Sequence, residues 1–265
     1  MSVRKGYSDG PEGQIHWRLA QNSERTTSRD LYCFSPAPFG SISYETIMPF
    51  LANGRRVIAP DYPGQAGSDG GSATPTIESY AASMLAVIHD LSGDDPVDVL
   101  GFHSGCLVAA DVKRQAPDRV ERVMLIDVPA FDPDTRAKYL PLVGAPFEPT
   151  AEIESVAKAW DMAVTKRLTT QPIDECYALF ADTVGNGPRI NATFHAAFTY
   201  DVDTRLAALK GGAVILATQS SLLEPSRRAA RLIQEAELLE VPEIQGSVLN
   251  QNAKRTAKAV LAAMA

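Results

Sequence analysis

The stretch Val99-Leu100-Gly101-Phe102-His103-Ser104-Gly105-Cys106-Leu107-Val108-Ala109 decides the fold of this chain. An apolar run leads into a Gly-x-His-x-Gly segment, and a second apolar run follows it at once. Gly101 and Gly105 each stand two residues from the central position. A Cβ at either place would clash if a strand turned sharply into a helix. The segment therefore predicts a strand, a tight turn with His103 at its apex, and a helix.

The rest of the chain alternates strand and helix signals, which indicates an α/β fold whose central sheet is mostly parallel and flanked by helices. The predicted strands are 14–19, 30–34, 56–60, 97–101, 120–127, 213–218 and 236–241, and the predicted helices are 43–51, 76–91, 104–114 and 251–264. From 129 to 210 the pattern is helical with proline breaks. We therefore expect a core domain of residues 1–128 and 211–265, with a helical cap of residues 129–210 inserted between core strands.

Composition narrows the classes of function. The 265 residues carry a net charge of −7, which argues against a nucleic-acid surface. No apolar run reaches the length of a membrane span, and residues 1–6 lack the apolar core of a secretory signal. Three widely spaced cysteines (Cys33, Cys106 and Cys176) suggest reduced thiols. We expect a cytoplasmic protein with a small-molecule ligand, no nucleic-acid or membrane partner, no metal and no cofactor. Nothing in the sequence specifies an oligomeric state.

Two further segments carry a resemblance to a known family. Residues 61–69, Asp-Tyr-Pro-Gly-Gln-Ala-Gly-Ser-Asp, are similar to the Asp-x-x-Gly-x-Gly-x-Ser-Asp loop of the α/β-hydrolase superfamily. The turn at His103 follows about forty residues later, where that family has its nucleophile elbow. Residues 123–127 are similar to the strand that comes next. The resemblance implies the α/β-hydrolase fold, with the helical insertion as a cap over the active site.

The resemblance also locates the family's catalytic positions in this sequence. The nucleophile position falls on His103, the acid position on Ser221 and the base position on Ser247. No histidine follows His195, so no Ser-His-Asp relay can be assembled at the usual places.

Two backbone N–H groups correspond to the family's oxyanion donors, those of Ala37 and Ser104. Ser35 stands where the donor loop normally begins with His-Gly. A site for stabilising an oxyanion therefore survives in the sequence although the hydrolytic relay does not.

A histidine at the apex of such a turn is suited to proton transfer. The helix N-terminus that follows carries a positive partial charge, which disfavours imidazolium and keeps His103 neutral near pH 7. A neutral imidazole can accept a proton from an activated carbon or hydroxyl. Asp127, at the end of a predicted central strand, is a candidate partner for it, and His195 in the cap is a candidate ligand contact. The other interpretation of His103 is purely structural.

Three functions remain open from the sequence. The first is a cofactor-free enzyme of lyase, isomerase or cyclase type, with His103 as general base and an apolar carbonyl compound as substrate. The second is a non-catalytic ligand-binding protein on an inactive hydrolase scaffold. The third is an atypical ester or lactone hydrolase that uses His103 or Ser104 as nucleophile. Aromatic residues of the predicted cap, among them Phe194 and Phe198, favour an apolar cavity.

Overall fold

Residues 3–21 and 29–264 are described by a computed structural model, in which eight strands alternate with ten helices. The strands are β1 (Arg4–Gly10), β2 (Gly13–Gln21), β3 (Leu31–Phe34), β4 (Arg56–Pro60), β5 (Val97–Phe102), β6 (Val120–Ile126), β7 (Ala213–Gln219) and β8 (Ala236–Gln245). The helices are α1 (Met48–Leu51), α2 (Ile77–Ser92), α3 (Gly105–Gln115), α4 (Pro133–Val143), α5 (Ala157–Trp160), α6 (Ile173–Val184), α7 (Ala192–Thr199), α8 (Val202–Ala207), α9 (Leu223–Leu232) and α10 (Ala253–Ala263). This order confirms the predicted α/β class.

The strands form one sheet in the order β1-β2-β4-β3-β5-β6-β7-β8. β2 pairs antiparallel with β1 and β4, and the remaining pairs are parallel. Parallel strands need both faces covered, and two buried apolar clusters lie on the two sides of the sheet. The carboxyl ends of β5, β6 and β7 meet at one edge, where ligands bind in open α/β sheets. The turn at His103 follows β5 at that edge.

Two local predictions were wrong, and one strand was not predicted. Residues 43–51, expected to form one helix, form a 3₁₀ turn over Ser41–Tyr44 and the short helix α1. β8 continues four residues beyond its predicted end, to Gln245. β1 was not predicted at all. Its sequence alternates mostly exposed polar residues and glycines, and its strand geometry comes from pairing with β2 along its full length.

Between β6 and β7 the described chain is helical, from α4 to α8. The loop at residues 61–69 contacts this helical segment directly. The Ala66 N–H donates to Asn186 Oδ1 at 2.6 Å, and Asn186 Nδ2 donates to Gln65 Oε1 at 2.9 Å. The helices are thereby attached to the edge of the sheet that carries His103.

The same loop is braced from the sheet side. Asp61 is buried, and its carboxylate accepts the Ser41 N–H at 2.5 Å and lies 2.7 Å from His16 Nδ1. A buried carboxylate that holds backbone donors fixes the loop in one conformation.

None of the helices in the described ranges has both the length and the apolar character needed to cross a bilayer.

Candidate active site

The turn after β5 places a strained residue at the edge of the sheet. His103 has φ of 51°, in the left-handed region that non-glycine residues rarely adopt. Its N–H donates to the Ile126 carbonyl at 3.0 Å, and its carbonyl accepts the Cys106 N–H at 2.9 Å. These bonds join the turn to β6 and to the first residues of α3. A residue held in such a conformation by its surroundings is typical of a functional site.

The two flanking glycines are required by close approach. A Cβ on Gly101 would come 2.4 Å from the Gly105 carbonyl oxygen. A Cβ on Gly105 would come 2.0 Å from the Phe34 carbonyl oxygen, at the end of β3. Both distances are far below van der Waals contact. The strand, the apex at His103 and the helix from Gly105 are therefore arranged as the sequence predicted.

Ser104 follows the apex and bonds to the loop after β3. Its hydroxyl oxygen accepts the Ala37 N–H at 2.7 Å. The Ala37 donor, expected to face a ligand, is thus engaged by a side chain of the protein. No acceptor for the Ser104 O–H is found among the described residues, so that hydrogen can donate to a ligand. An O–H whose oxygen already accepts a hydrogen bond is a stronger donor.

Ser35 lies behind this loop and away from the ligand space. Its side chain is fully buried, and its Oγ has no hydrogen-bond partner within the described part of the chain. Its carbonyl oxygen accepts the Tyr62 hydroxyl at 2.9 Å. The structure therefore places Ser35 as a support of the loop that carries Ala37.

Two cavities meet at the His103 side chain. The first, called here the aromatic cavity, has a volume of about 230 Å³. The second, called here the polar cavity, has a volume of about 350 Å³. His103, Ala37 and Phe194 line both. The two cavities are therefore neighbours that share part of one wall, and His103 belongs to that shared wall.

The aromatic cavity is formed by the cap and the loop after β6. Phe131 and Phe198 stack with their ring centroids 5.8 Å apart and their planes within 8°. Both rings line the cavity, as do Ser104, Ser221 and Leu222. Such walls bury an apolar or aromatic group and exclude water from it. The predicted apolar lining from Phe194 and Phe198 is therefore present.

The polar cavity has a different wall. Its lining includes the side chains of Arg167 from the cap, Asp127 after β6, and three polar residues from the loops after β7 and β8, namely Ser220, Ser247 and Asn250. Phe39 and Met162 supply apolar surface.

Within residues 3–21 and 29–264 no group of three or more histidine, cysteine or acidic side chains lies close enough together to hold a metal ion.

The imidazole of His103 is neutral over the physiological range. Burial, and next the positive charge of Arg167, lower the pKa of His103 from 6.5 to about 4. The ring packs on Phe102, with centroids 3.9 Å apart, and no hydrogen bond to either ring nitrogen is found in the described chain. The predicted direction of the pKa shift is confirmed, but the helix N-terminus invoked by the sequence analysis is not its main cause.

Asp127 does not pair with His103. Its carboxylate accepts the Thr218 N–H at 2.7 Å and the Thr218 hydroxyl at 2.6 Å, and Ser220 is a further donor. Burial raises the pKa of Asp127 above its usual range, and these hydrogen bonds oppose that rise. The residue has φ of 53°, so it also occupies a strained turn. Its bonds tie the end of β6 to the end of β7.

The other predicted positions are distributed along the cavity walls. Ser221 lies on the aromatic cavity. Ser247 lies on the polar cavity, with its Oγ 3.4 Å from Asn250 Oδ1. His195 is on α7 with its Nδ1 3.2 Å from the Gly144 carbonyl oxygen, and it lines neither cavity. The structure thus places Ser104 and Ser221 on one cavity, Ser247 on the other and His103 on both, and it leaves His195 outside them.

Arg167 is the main site residue that the sequence analysis missed. It stands in Lys166-Arg167-Leu168, where nothing in the local pattern distinguishes it from a surface cation. Lys166 indeed pairs with Asp161 at the surface, whereas Arg167 lies over the Phe39 ring at 4.7 Å and lines the cavity. The backbone just before these residues forms a π-helical turn at Asp161–Thr165. The different environments of the two adjacent side chains follow from the path of the backbone here and not from the local sequence.

Comparison with known proteins agrees with this architecture. A family model described as alpha/beta hydrolase fold matches residues 37–175, more than half of the chain. The pimeloyl-[acyl-carrier protein] methyl ester esterase of Aromatoleum aromaticum is 35% identical over 83 residues. That match covers 31% of this chain and only 30% of the esterase.

Two solved structures show the fold over the whole chain. The bromoperoxidase from Bacillus anthracis superimposes with a TM-score of 0.77 at 16% identity, covering 98% of this chain and 99% of that one. The enol-lactonase from Burkholderia xenovorans LB400 does so with a TM-score of 0.76 at 17% identity, with the same two coverages. At such identity the likeness concerns the fold alone. From the family match and the sheet that carries His103 at its edge, we conclude that the chain belongs to the α/β-hydrolase fold family.

Proposed function

We propose that this protein is a cofactor-free enzyme that transfers a proton within a small carbonyl compound, with His103 as the general base. In this proposal the serine, acid and base positions of the family are occupied by His103, Ser221 and Ser247. The observation that carries the proposal is the place of the imidazole. It is neutral, without a hydrogen-bond partner in the described chain, and exposed to both cavities. A neutral imidazole in that state can accept a proton.

The proposed step begins with a ligand whose carbonyl oxygen accepts the Ser104 O–H. His103 removes a proton from the carbon next to the carbonyl. The electrons of that C–H bond form the C=C bond of an enolate, and the negative charge develops on the oxygen at Ser104. The imidazolium then returns a proton to the same carbon or to another atom of the ligand. Stabilisation of such a developing oxyanion by fixed donors lowers the barrier to the reaction.

Ester hydrolysis receives less support from the geometry. An acyl group on His103 would need a second base to activate water, and no carboxylate or second histidine forms a hydrogen bond with the His103 ring in the described chain. The Ala37 N–H, one of the two expected oxyanion donors, is engaged by Ser104 Oγ. The ligand-binding alternative shares the cavities but assigns no chemistry to His103.

Deuterium exchange tests the proposal without knowledge of the natural substrate. The probe is 4-oxo-4-phenylbutanoate, an aryl ketone that fits the aromatic walls and carries exchangeable protons beside its carbonyl. The protein is incubated with the probe in D₂O, and loss of those proton signals is followed by NMR. We expect the wild-type protein to accelerate exchange and His103→Gln to lose at least about 100-fold of that acceleration.

The control variant is His89→Gln. His89 is an exposed histidine on α2 that lines neither cavity, and its loss should leave the exchange rate unchanged. Equal exchange by the wild-type protein and His103→Gln would refute the proposal. A stable adduct on Ser104 after treatment with a fluorophosphonate would instead support the hydrolase alternative.

A further inference from the structure

Among the residues that the structure describes, Arg167 has no acidic partner. Its Nε donates to the Met162 carbonyl at 3.1 Å and its Nη1 to Gln171 Oε1 at 3.2 Å. Both acceptors are neutral, and so is the Phe39 ring beneath the guanidinium. No carboxylate forms an ion pair with Arg167 in the part of the chain that the structure describes. A largely buried charge normally has a counterion because desolvation is costly.

The guanidinium has more N–H donors than these two hydrogen bonds use. Arginine carries five N–H groups in a planar fork, and these two bonds leave its Nη2 without a partner in the described chain. The fork suits the two oxygens of a carboxylate. Burial lowers the pKa of Arg167 below its usual range, which shows that the charge is poorly compensated, although the group stays protonated.

Arg136, on the aromatic cavity, provides the contrast. Its Nη2 lies 3.4 Å from Asp203, and its Nη1 donates to the Tyr200 carbonyl. Arg136 therefore has an acidic partner in Asp203, which also pairs with Arg228. Arg167 differs from it in having none, and it lies in the cavity that also contains Ser247 and Asn250.

We propose that the substrate carries a carboxylate that binds Arg167 in the polar cavity, while its apolar end fills the aromatic cavity and its reactive carbon lies at His103. This inference rests on the proposed function for the role of His103. One unpaired cation balances one negative charge. Asp127, the acidic residue on the same wall, is engaged by Thr218 and Ser220 rather than by Arg167, and its charge would oppose binding of a dianion. These facts favour a carboxylate over a phosphate.

The bound carboxylate would also affect the base. The charge of Arg167 contributes to the low pKa of His103. A carboxylate seated on the guanidinium offsets that charge, so the imidazole becomes a better proton acceptor when the substrate is bound. A neutral analogue would not produce this change. Recognition of the acid and activation of His103 are therefore coupled.

Calorimetric titration with two matched probes tests the inference. One is 4-oxo-4-phenylbutanoate and the other is 4-oxo-4-phenylbutanamide, which has the same shape without the charge. We expect the wild-type protein to bind the acid more tightly than the amide. Arg167→Gln should weaken binding of the acid by about 10- to 100-fold and leave the amide nearly unchanged. Arg167→Lys should recover part of the loss.

Arg136→Gln is the matched control, because it removes a cavity arginine that already forms an ion pair with Asp203, and it should not change the preference for the acid over the amide. Thermal melts establish that each variant is folded. Equal affinity of the wild-type protein for acid and amide, no binding of the acid, or an unchanged acid affinity in Arg167→Gln would overturn the inference.

The two proposals can fail separately. Binding of the acid through Arg167 without deuterium exchange would contradict the role of His103 and support a carboxylate-binding protein. If exchange depends on His103 but the protein binds the acid and the amide equally well, the proposed function stands and the carboxylate site is rejected.

Discussion

Replacing His103 with glutamine should change how the stability of the protein depends on pH. The folded state holds the pKa of His103 at about 4, against 6.5 for an unperturbed histidine. Between these values the unfolded chain binds a proton that the folded chain does not. The free energy of unfolding therefore falls as the pH is lowered through this window. Above pH 6.5 the imidazole is neutral in both states, and this loss of stability does not occur.

The size of the effect follows from the two pKa values. The full shift corresponds to about 3 kcal/mol of unfolding free energy, and about 2 kcal/mol of it is lost between pH 7.5 and pH 5. Glutamine does not titrate, so His103→Gln lacks this loss. The unfolding free energy of the variant minus that of the wild-type protein should thus rise by about 2 kcal/mol over the same interval.

Urea denaturation at pH 7.5, 6 and 5 measures this difference. Comparison of two proteins is needed because Asp182 acts in the opposite direction. Burial and the nearby Asp61 carboxylate raise the pKa of Asp182 to about 6. The contribution of Asp182 to the free energy of unfolding therefore becomes more favourable as the pH falls, equally in both proteins. A constant difference between His103→Gln and the wild-type protein across the three pH values would refute the account of a desolvated imidazole.

Three further substitutions test particular contacts. Gly105→Ala should cost more than about 3 kcal/mol, measured by urea denaturation, because its Cβ would come 2.0 Å from the Phe34 carbonyl oxygen; a cost under 1 kcal/mol would contradict the packing of the turn. Thr218→Val removes the hydroxyl that donates to the buried Asp127 carboxylate, so it should cost about 2 kcal/mol at pH 7.5 in urea denaturation, and the cost should shrink as the pH is lowered because the raised pKa of Asp127 favours the protonated carboxyl. Ser104→Ala removes the proposed donor to the ligand carbonyl, so NMR should show deuterium exchange slowed by at least about 10-fold in a protein that still folds; an unchanged rate would exclude Ser104 from that role.

Local spacing was enough to predict the turn and most strands. Gly101 and Gly105 fix the apex on His103 because a Cβ on either residue would come within 3 Å of backbone atoms. Residues 56–60 were predicted at the bounds of β4 because most of this strand is a buried apolar run. β1 was missed for the opposite reason. Its exposed, polar sequence has little strand character of its own, and the pairing with β2 determines its conformation.

The site was less accessible to sequence reasoning wherever it depends on contacts between distant segments. The sequence located Ala37 and Ser104 but not the hydrogen bond between them, which joins residues 67 positions apart in the chain. It identified Asp127 but not its bonds to Thr218, 91 positions away. Arg167 has no local signal, since its environment is created by Phe39 and by the path of the cap. Chemistry-bearing residue types are visible in a sequence, whereas their partners depend on tertiary packing.

Chemical rescue of His103→Gly by imidazole tests the central claim most directly. Glycine suits a φ of 51° and leaves a space where the side chain was. We predict that His103→Gly loses the deuterium exchange of 4-oxo-4-phenylbutanoate and that added imidazole restores it in proportion to its concentration. The same imidazole should not restore exchange to His103→Gln, whose side chain fills the space. Exchange by His103→Gly at the wild-type rate without imidazole would contradict the assignment of His103 as the base.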